Sequence, residues 1–295
     1  MNIAMNIANS PLFKAYARPI LDSRLDPRPR RQKARFSPFG IMDTVMQYLL
    51  DRASLEVTKI KISDASERSF CLAIESRLVD SGAISSIIGA MDVELSFNGF
   101  SFGTVELPEV QTSFWGTKVL VKEQRIDITD MTAFRTFIRS LMLDSDSSFQ
   151  LDNGWCTVGA LGTSSGCEMC LDIPLKCMNG PQMELKKLSR SSDNGIVATF
   201  HVNNPSPVEI DHGRCIFELR NTRGETMAEL RGDLNIVRGQ ADYTLHGTTR
   251  PGVAPSDMAR LVGVGVEGSS WCSETIKEID VIFGLRPEFA ELLQH

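Results

Sequence analysis

Residues 91–107, MDVELSFNGFSFGTVEL, decide the fold that this sequence predicts. Apolar and polar residues alternate on both sides of Asn98-Gly99, and this period of two is typical of strands with one buried face. Asn-Gly favours a two-residue hairpin turn, because both turn positions need a positive φ angle. The stretch therefore predicts an antiparallel hairpin.

The same alternation recurs along the chain, for example in FCLAIESRL at residues 70–78 and in GIVATFHVNN at residues 195–204. Apolar residues at helical spacing from Met131 to Leu141 follow a capping Asp130, which predicts one helix. A second short helix is predicted at residues 254–261, APSDMARL. Many short strands separated by turn signals predict an all-β protein of two tandem antiparallel Ig-like β-sandwiches, each with a short helix.

A near-repeat supports the tandem arrangement. DNGWCTV at residues 152–158 is echoed by GSSWCSE at residues 268–274, and we interpret the echo as an internal duplication. Asp152-Asn153-Gly154 predicts a turn that precedes a strand, and both Trp-Cys pairs are predicted to pack in their cores. The expected domains are a disordered basic leader over 1–40, a first sandwich over 41–166 and a second over 167–295.

Charge divides the chain unevenly. Residues 1–40 hold eight Lys or Arg and two Asp, so they carry a net charge of +6 and leave −12 for the rest of a chain of net charge −6. The leader predicts either a solvated tail or weak attraction to an acidic membrane surface, to nucleic acid or to an import receptor. The acidic remainder argues against nucleic acid as the main partner. No apolar run reaches the ~20 residues of a membrane helix, and no secretory signal is evident. We expect an intracellular, cytoplasmic protein, with endomembrane association as an alternative.

Several blocks of sequence carry a resemblance. SFGTVELPEV, DIPLKCMNGP, NNPSPVEID and ARLVGVGVEGSSWC resemble a fungal family of unknown function whose repeats are similar to late-embryogenesis-abundant type 2 (water-stress and hypersensitive-response) β-sandwiches. The resemblance covers residues 41–287 and implies the same fold. It also implies membership of a group that typically carries an N-terminal membrane helix, which an Arg-rich leader replaces here. It implies no catalytic motif.

Motifs for known chemistry lack their structural context. Residues 162–166 match G-x-S-x-G and residues 263–268 match G-x-G-x-x-G, but neither lies in an alternating strand-helix pattern. Cys167, Cys170 and Cys177 offer three thiolates where a structural zinc site needs four ligands. We therefore predict no metal and no cofactor, and we identify no catalytic residue.

Four residues are the candidate ligand-binding set: His212, Tyr243, Trp115 and His246. They supply an aromatic surface and groups that titrate or form hydrogen bonds. The predicted function is a soluble β-sandwich module that binds an apolar small molecule or lipid, in an oligomeric state that the sequence leaves open. The alternative is a cofactor-independent cyclase, pericyclase or isomerase of a fungal natural-product pathway, since such catalysis can rest on shape and orientation. A scaffold that binds a protein through a strand edge is a third hypothesis.

Overall fold

A computed structural model of the chain describes residues 44, 46–48, 53–80, 84–180, 182–191 and 195–293. These residues are mainly β-strand, in two sheets that form a sandwich-like arrangement, with a few short helices. The predicted all-β sandwich class is confirmed. The expected leader over 1–40 lies outside the described residues.

The first half of the described chain holds nine strands and one long helix, α1, which spans Met131–Leu143. The strands are β1 (Ser54–Ser63), β2 (Ser69–Val79), β3 (Ser86–Ile88), β4 (Met91–Phe97), β5 (Phe100–Leu107), β6 (Val110–Gln111), β7 (Thr117–Asp127), β8 (Asp146–Ala160) and β9 (Thr163–Lys176).

The second half of the described chain holds seven strands, two short helices and a 3₁₀ turn at Ile276–Glu278. These elements are β10 (Gln182–Arg190), β11 (Ile196–Asn204), β12 (Val208–Arg220), β13 (Thr226–Ile236), β14 (Gly239–Thr249), β15 (Met258–Val266), α2 (Cys272–Thr275), β16 (Asp280–Gly284) and α3 (Pro287–Leu293).

The strongest turn and helix signals are confirmed. Asn98 and Gly99 have φ angles of 52° and 80° and join β4 to β5. Helix α1 begins as predicted, because the Asp130 carboxylate accepts hydrogen bonds from the backbone amides of Thr132 and Ala133 at 2.8 and 3.0 Å. Its apolar face buries Phe134, among others, in the core.

Strand β12 belongs to both halves of the molecule. Its first residues pair with β1 in parallel, with Ile60 opposite Val208 and Ile62 opposite Ile210. Its later residues, Cys215–Arg220, lie between β13 and β15. The register shifts between Asp211 and Arg214, so a bulge separates the two parts. One bent strand thus joins the β1-β2-β7 part of the larger sheet to the strands of the second half.

A buried aromatic cluster is a second link between the halves. Trp271 packs edge-on against Phe134 of α1, with 4.9 Å between ring centroids, and against Phe70 of β2 at 6.3 Å. Its indole N–H donates to the carbonyl of Ser69 at 3.2 Å. Because Trp271 comes from the second half and its partners from the first, the cluster fixes the two halves against each other.

Two local predictions are wrong. Asp152-Asn153-Gly154 forms no hairpin turn but lies inside β8, where a bulge shifts the pairing with β9 between Leu151 and Gly154. The helix predicted at residues 254–261 is absent, and Met258 begins β15. Pairing with β12 and β16 on both sides outweighs the short helical pattern there.

The two Trp-Cys pairs occupy different local structures. Trp155 and Cys156 lie on β8, whereas Trp271 and Cys272 lie at the start of α2. Cys156, Trp271 and Cys272 are buried, but Trp155 is 68% exposed, so its predicted core position is wrong. The alternation of a strand places Trp155 on the face opposite Cys156. The echo therefore marks no shared structural position, and duplication of the halves stays a prediction.

The expected boundary between residues 166 and 167 falls within β9, which pairs with β8 over its length. The division into two domains stays a prediction. Contacts group residues 38–295 into one unit.

A close approach at Gly263 gives a test of the second half. A Cβ atom on Gly263 would lie 1.9 Å from the carbonyl oxygen of Ile276, whereas one on Gly265 would have no atom within 4 Å. We expect Gly263→Ala to lower the free energy of unfolding by about 3 kcal/mol, because backbone must move. Gly265→Ala, on the same strand, is the matched control, and urea denaturation measures both. Equal stability of the two variants would contradict the packing of β15 on the 3₁₀ turn.

Candidate functional site

An apolar cavity lies between the two sheets of the first half. One wall consists of residues from β1, β2 and β7, and the other of residues from β3, β4, β5, β6, β8 and β9. Its enclosed space is about 40 Å³, and about 560 Å³ is reached only when the gaps between lining atoms and the open solvent are counted. The enclosed part has room for a few water molecules, so a ligand of small-molecule size requires the lining side chains to move apart.

The walls of this cavity carry no polar side chain. All fifteen lining residues are apolar, since each is the inward member of its strand's alternation or adjoins one. Ile74 of β2, Val121 of β7 and Leu151 of β8 are fully or nearly fully buried. The cavity therefore offers van der Waals contact and exclusion from water, with no side-chain donor or acceptor.

One end of the cavity is closed and its margins are partly open. Phe149, in the lining, packs against Phe137 of α1 with 5.6 Å between ring centroids. Leu55 and Val57 of β1, together with Val110 of β6, are lining residues that remain half-buried. We take these half-buried side chains as the mouth of the cavity.

A smaller cavity, with about 20 Å³ of enclosed space, lies beside β10, β11 and β13. Its polar residues already have partners, since the Asn203 amide donates to Gln182 at 2.9 Å and the Asn204 amide donates to the carbonyl of Val208 at 2.8 Å. These groups hold strands together and are not oriented toward a ligand.

None of the four candidate residues lines the larger cavity. His212 is on β12, Tyr243 and His246 are on β14, and Trp115 is in the turn between β6 and β7. Their assignment as ligand-binding residues stays a prediction.

His212 lies in the bulge at which β12 passes from one half to the other, and it is 3% exposed. Neither ring nitrogen makes a hydrogen bond of normal geometry in the part of the chain that the structure describes, although the Ile210 backbone lies close enough to favour the protonated ring. Burial lowers the pKa of His212 from 6.5 to about 4, and the Ile210 backbone and the Asp211 charge offset this only in part. The imidazole is therefore neutral in the folded protein at neutral pH.

Tyr243 has a structural hydrogen-bond arrangement. Its hydroxyl donates to the carbonyl of Asn235 and accepts from the backbone amide of Val237 at 3.2 Å. Burial raises the pKa of Tyr243, and the bond from Val237 opposes this rise. The residue thereby ties β14 to the end of β13.

The other two candidates are exposed. His246 lies on the outer face of β14, opposite Val197 and Arg231. Trp115 is 78% exposed and packs edge-on against Phe114, with 5.1 Å between centroids.

The cysteine spacing is explained by strand geometry. Cys167 and Cys170 are three residues apart on β9, so their side chains lie on opposite faces, one buried and one exposed. The Cys170 thiol donates to the carboxylate of Asp152 at 3.0 Å, which is the main reason that its pKa is raised to about 11. No cluster of three or more His, Cys, Asp or Glu suited to a metal occurs among the described residues.

The glycine motifs also belong to strands. Gly166 lies within β9, and Gly263 and Gly265 lie within β15. Neither motif forms the strand-to-helix turn that a nucleophile elbow or a dinucleotide site requires. Within the ranges that the structure describes, no helix is long and apolar enough to cross a membrane.

The fold and the cavity define a β-sandwich protein with an apolar space between its sheets. A family model described as "Protein of unknown function (DUF3712)" matches residues 101–219, from β5 to the second half of β12. No curated protein matches the chain.

Solved structures show remote likeness. Red sea bream transglutaminase is 11% identical over 79% of this chain and 31% of its own, with a TM-score of 0.26. A bacterial adhesin from Mobiluncus mulieris with intramolecular cross-links is 8% identical over 72% of this chain and 80% of its own, with a TM-score of 0.20. CBD12 from CALX1.2 is 12% identical over 76% of this chain and 86% of its own, with a TM-score of 0.22. None of these likenesses bears on function.

The buried imidazole predicts acid sensitivity. His212 takes up a proton near its ordinary pKa of 6.5 when unfolded but only near 4 when folded, so stability falls as the pH drops through this window. We expect His212→Phe to reduce the loss of unfolding free energy between about pH 7 and about pH 5 by roughly 2 kcal/mol.

Urea denaturation at both pH values measures this effect. His246→Phe is the control, because it replaces an exposed histidine on β14. An unchanged acid dependence in His212→Phe would show that another group causes the loss.

Proposed function

We propose that this protein binds an apolar small molecule, or the hydrocarbon chain of a lipid, in the cavity between the sheets of its first half. One observation carries the proposal: a partly open space between the sheets whose fifteen lining residues are all apolar. A core packed as tightly as most protein interiors leaves few voids larger than a water molecule, and unfilled space costs stability. A ligand would replace the missing contacts.

The chemistry of the lining limits the ligand class. With no side-chain donor or charge in the walls, a carboxylate or ammonium group inside would lose its hydration without compensation. An apolar chain gains roughly 25 cal/mol for each Å² removed from water. We therefore propose an uncharged, hydrocarbon-rich ligand, or an amphiphile whose polar end stays outside the mouth at Val57 and Val110.

The sequence resemblance agrees with this proposal. The blocks that resemble fungal late-embryogenesis-abundant-like repeats imply a non-catalytic β-sandwich. We also propose that this protein is related to that fungal family. Free thiols at all seven cysteines fit an intracellular, reducing location, which we also propose. The cyclase or isomerase alternative stays a prediction, since no polar group in the lining is placed to act on a bound substrate.

Filling the mouth tests the proposal. We expect the full chain to bind the neutral fluorophore N-phenyl-1-naphthylamine saturably, with one site per chain, because the cavity lining is apolar. Val57→Trp places a large ring at the half-buried mouth, and we expect it to weaken binding about tenfold or more. Fluorescence titration measures both affinities.

Glu56→Trp is the matched control, since Glu56 is the exposed neighbour on β1 and lies on the opposite face. Melting temperatures of both variants separate blocked binding from loss of fold. Absence of saturable binding in the wild-type protein, or equal affinity in folded Val57→Trp, would overturn the proposal. Turnover of an apolar polyene to an isomer of equal mass would favour the enzyme alternative.

A further inference from the structure

Two tight turns lie side by side at one end of the first half. The carbonyl of Ser86 in β3 accepts from the backbone amide of Thr112 at 2.7 Å, just before the turn between β6 and β7. On its other side, Ser86 pairs with Ala160, the last residue of β8 before the turn to β9. With strands about 4.8 Å apart, the two turns start about 10 Å from each other.

Both turns expose large apolar side chains. In the first, the Gly116 amide donates to the carbonyl of Ser113 at 2.9 Å, so Phe114 and Trp115 are the central residues, 68% and 78% exposed. In the second, Leu161 is 69% exposed. Ile87, on the strand between the turns, is 47% exposed. We call these four residues, Ile87, Phe114, Trp115 and Leu161, the apolar tip.

The apolar tip is held in place. The guanidinium of Arg77 donates to the carbonyl of Trp115, and the Thr117 hydroxyl donates to the carbonyl of Gln111 at 3.0 Å. Phe114 and Trp115 also contact each other edge-on. The turn thus presents two aromatic rings to solvent on a fixed backbone, although turn centres usually carry Gly, Asn, Asp, Pro or Ser.

Leu161 is unfavourable for stability in two ways. Its φ angle is +52°, in the left-handed region that a leucine side chain disfavours, and it forms a two-residue hairpin turn with Gly162. Asparagine would fit this backbone better and would also be hydrated. A strained and exposed leucine therefore indicates a role outside the folding of the chain.

The three segments that build the apolar tip carry no charge of their own, although the Arg77 guanidinium contacts the backbone of the first turn. Residues 84–90, 111–117 and 159–167 contain no Asp, Glu, Lys or Arg, although the chain as a whole is 23% charged and would place about five in these 23 residues. The small polar residues there are mostly Ser and Thr. Anionic membrane surfaces are bound by clusters of cations, and the single Arg77 here is engaged by the Trp115 carbonyl, so the hydroxyl-rich rim suits neutral headgroups better.

We propose that the apolar tip inserts into the interfacial layer of a lipid bilayer of neutral, zwitterionic headgroups. Tryptophan is enriched at this layer because its ring is apolar and its N–H is polar. Phe, Leu and Ile supply the buried apolar area, and the hydroxyl-bearing rim meets the headgroups. The contact is independent of the basic leader over 1–40, and it stands whether or not the cavity binds a ligand.

Vesicle flotation tests the inference. The full chain is mixed with large unilamellar vesicles of phosphatidylcholine alone, at low and at high ionic strength. We expect binding in both conditions, because the apolar tip uses no charge. The double variant Phe114→Ser/Trp115→Ser is expected to lose about tenfold or more of its partitioning.

Phe100→Ser is the matched control. Phe100 is 64% exposed and follows the β4–β5 turn, at the opposite end of the same sheet, so its removal is expected to leave binding unchanged. Leu161→Asn separates a role of Leu161 in membrane binding from a role in stabilising the fold. It is expected to raise the melting temperature while weakening vesicle binding, because it relieves strain and removes apolar area.

Several outcomes would overturn the inference. One is no binding to phosphatidylcholine vesicles. Another is binding that requires anionic lipid, disappears at high salt and survives Phe114→Ser/Trp115→Ser, which would assign it to the leader. A third is a dimer in light scattering that the double variant abolishes, which would make the apolar tip a contact between two copies. Retained fluorophore binding in the double variant keeps this test separate from that of the cavity.

Discussion

The structure depends on one strand that serves two halves. The first residues of β12 complete the sheet edge at β1, and its later residues are the centre of the second half, between β13 and β15. Such a strand must bend, and the bulge at residues 211–214 provides the bend. The bend leads to the burial of His212, whose ring fills space at the junction without forming a hydrogen bond of normal geometry to the described residues. The Trp271 cluster then secures the same junction from the other side.

The first half has the features that bear on function. Its sheets are separated widely enough to leave an apolar space, and helix α1 closes one end through Phe137. At the opposite end, the turns that hold Trp115 and Leu161 face solvent. Ile88 of β3 lines the cavity while its neighbour Ile87 belongs to the apolar tip, so a single short strand connects the two features. A protein arranged in this way brings its apolar space close to any surface that the turns contact.

The sequence predicted correctly the turn and the helix that are determined by interactions between residues close together in the chain. Asn98-Gly99 and the Asp130 cap act over a few residues, and both the turn and the helix are present. Predictions failed where pairing with strands distant in sequence determines the local structure. Asp152-Asn153-Gly154 lies inside β8 because β8 pairs with β9, and residues 258–261 form part of β15 because they pair with β12. The cavity left no signal in the sequence, because alternation shows which side chains point inward but not how far apart two sheets lie. The candidate residues His212 and Tyr243 lie at strand junctions, outside the lining of the cavity.

The position of β12 late in the chain has a consequence during synthesis. Ile60 of β1 pairs with Val208, which is synthesised about 150 residues later. A ribosome needs on the order of ten seconds to add that length, so β1 lacks this partner in the meantime. During that interval the nascent first sheet has an unpaired edge, which is a hazard for association between chains. Lys59 lies on this edge, where its ammonium group discourages pairing with a second copy, whereas Lys61 is already paired with Glu123 of β7 at 3.1 Å. When β12 arrives, Glu209 neutralises Lys59 at 2.8 Å. The Lys59 charge that disfavours association of the nascent edge with another chain thus forms an ion pair with β12 in the folded protein.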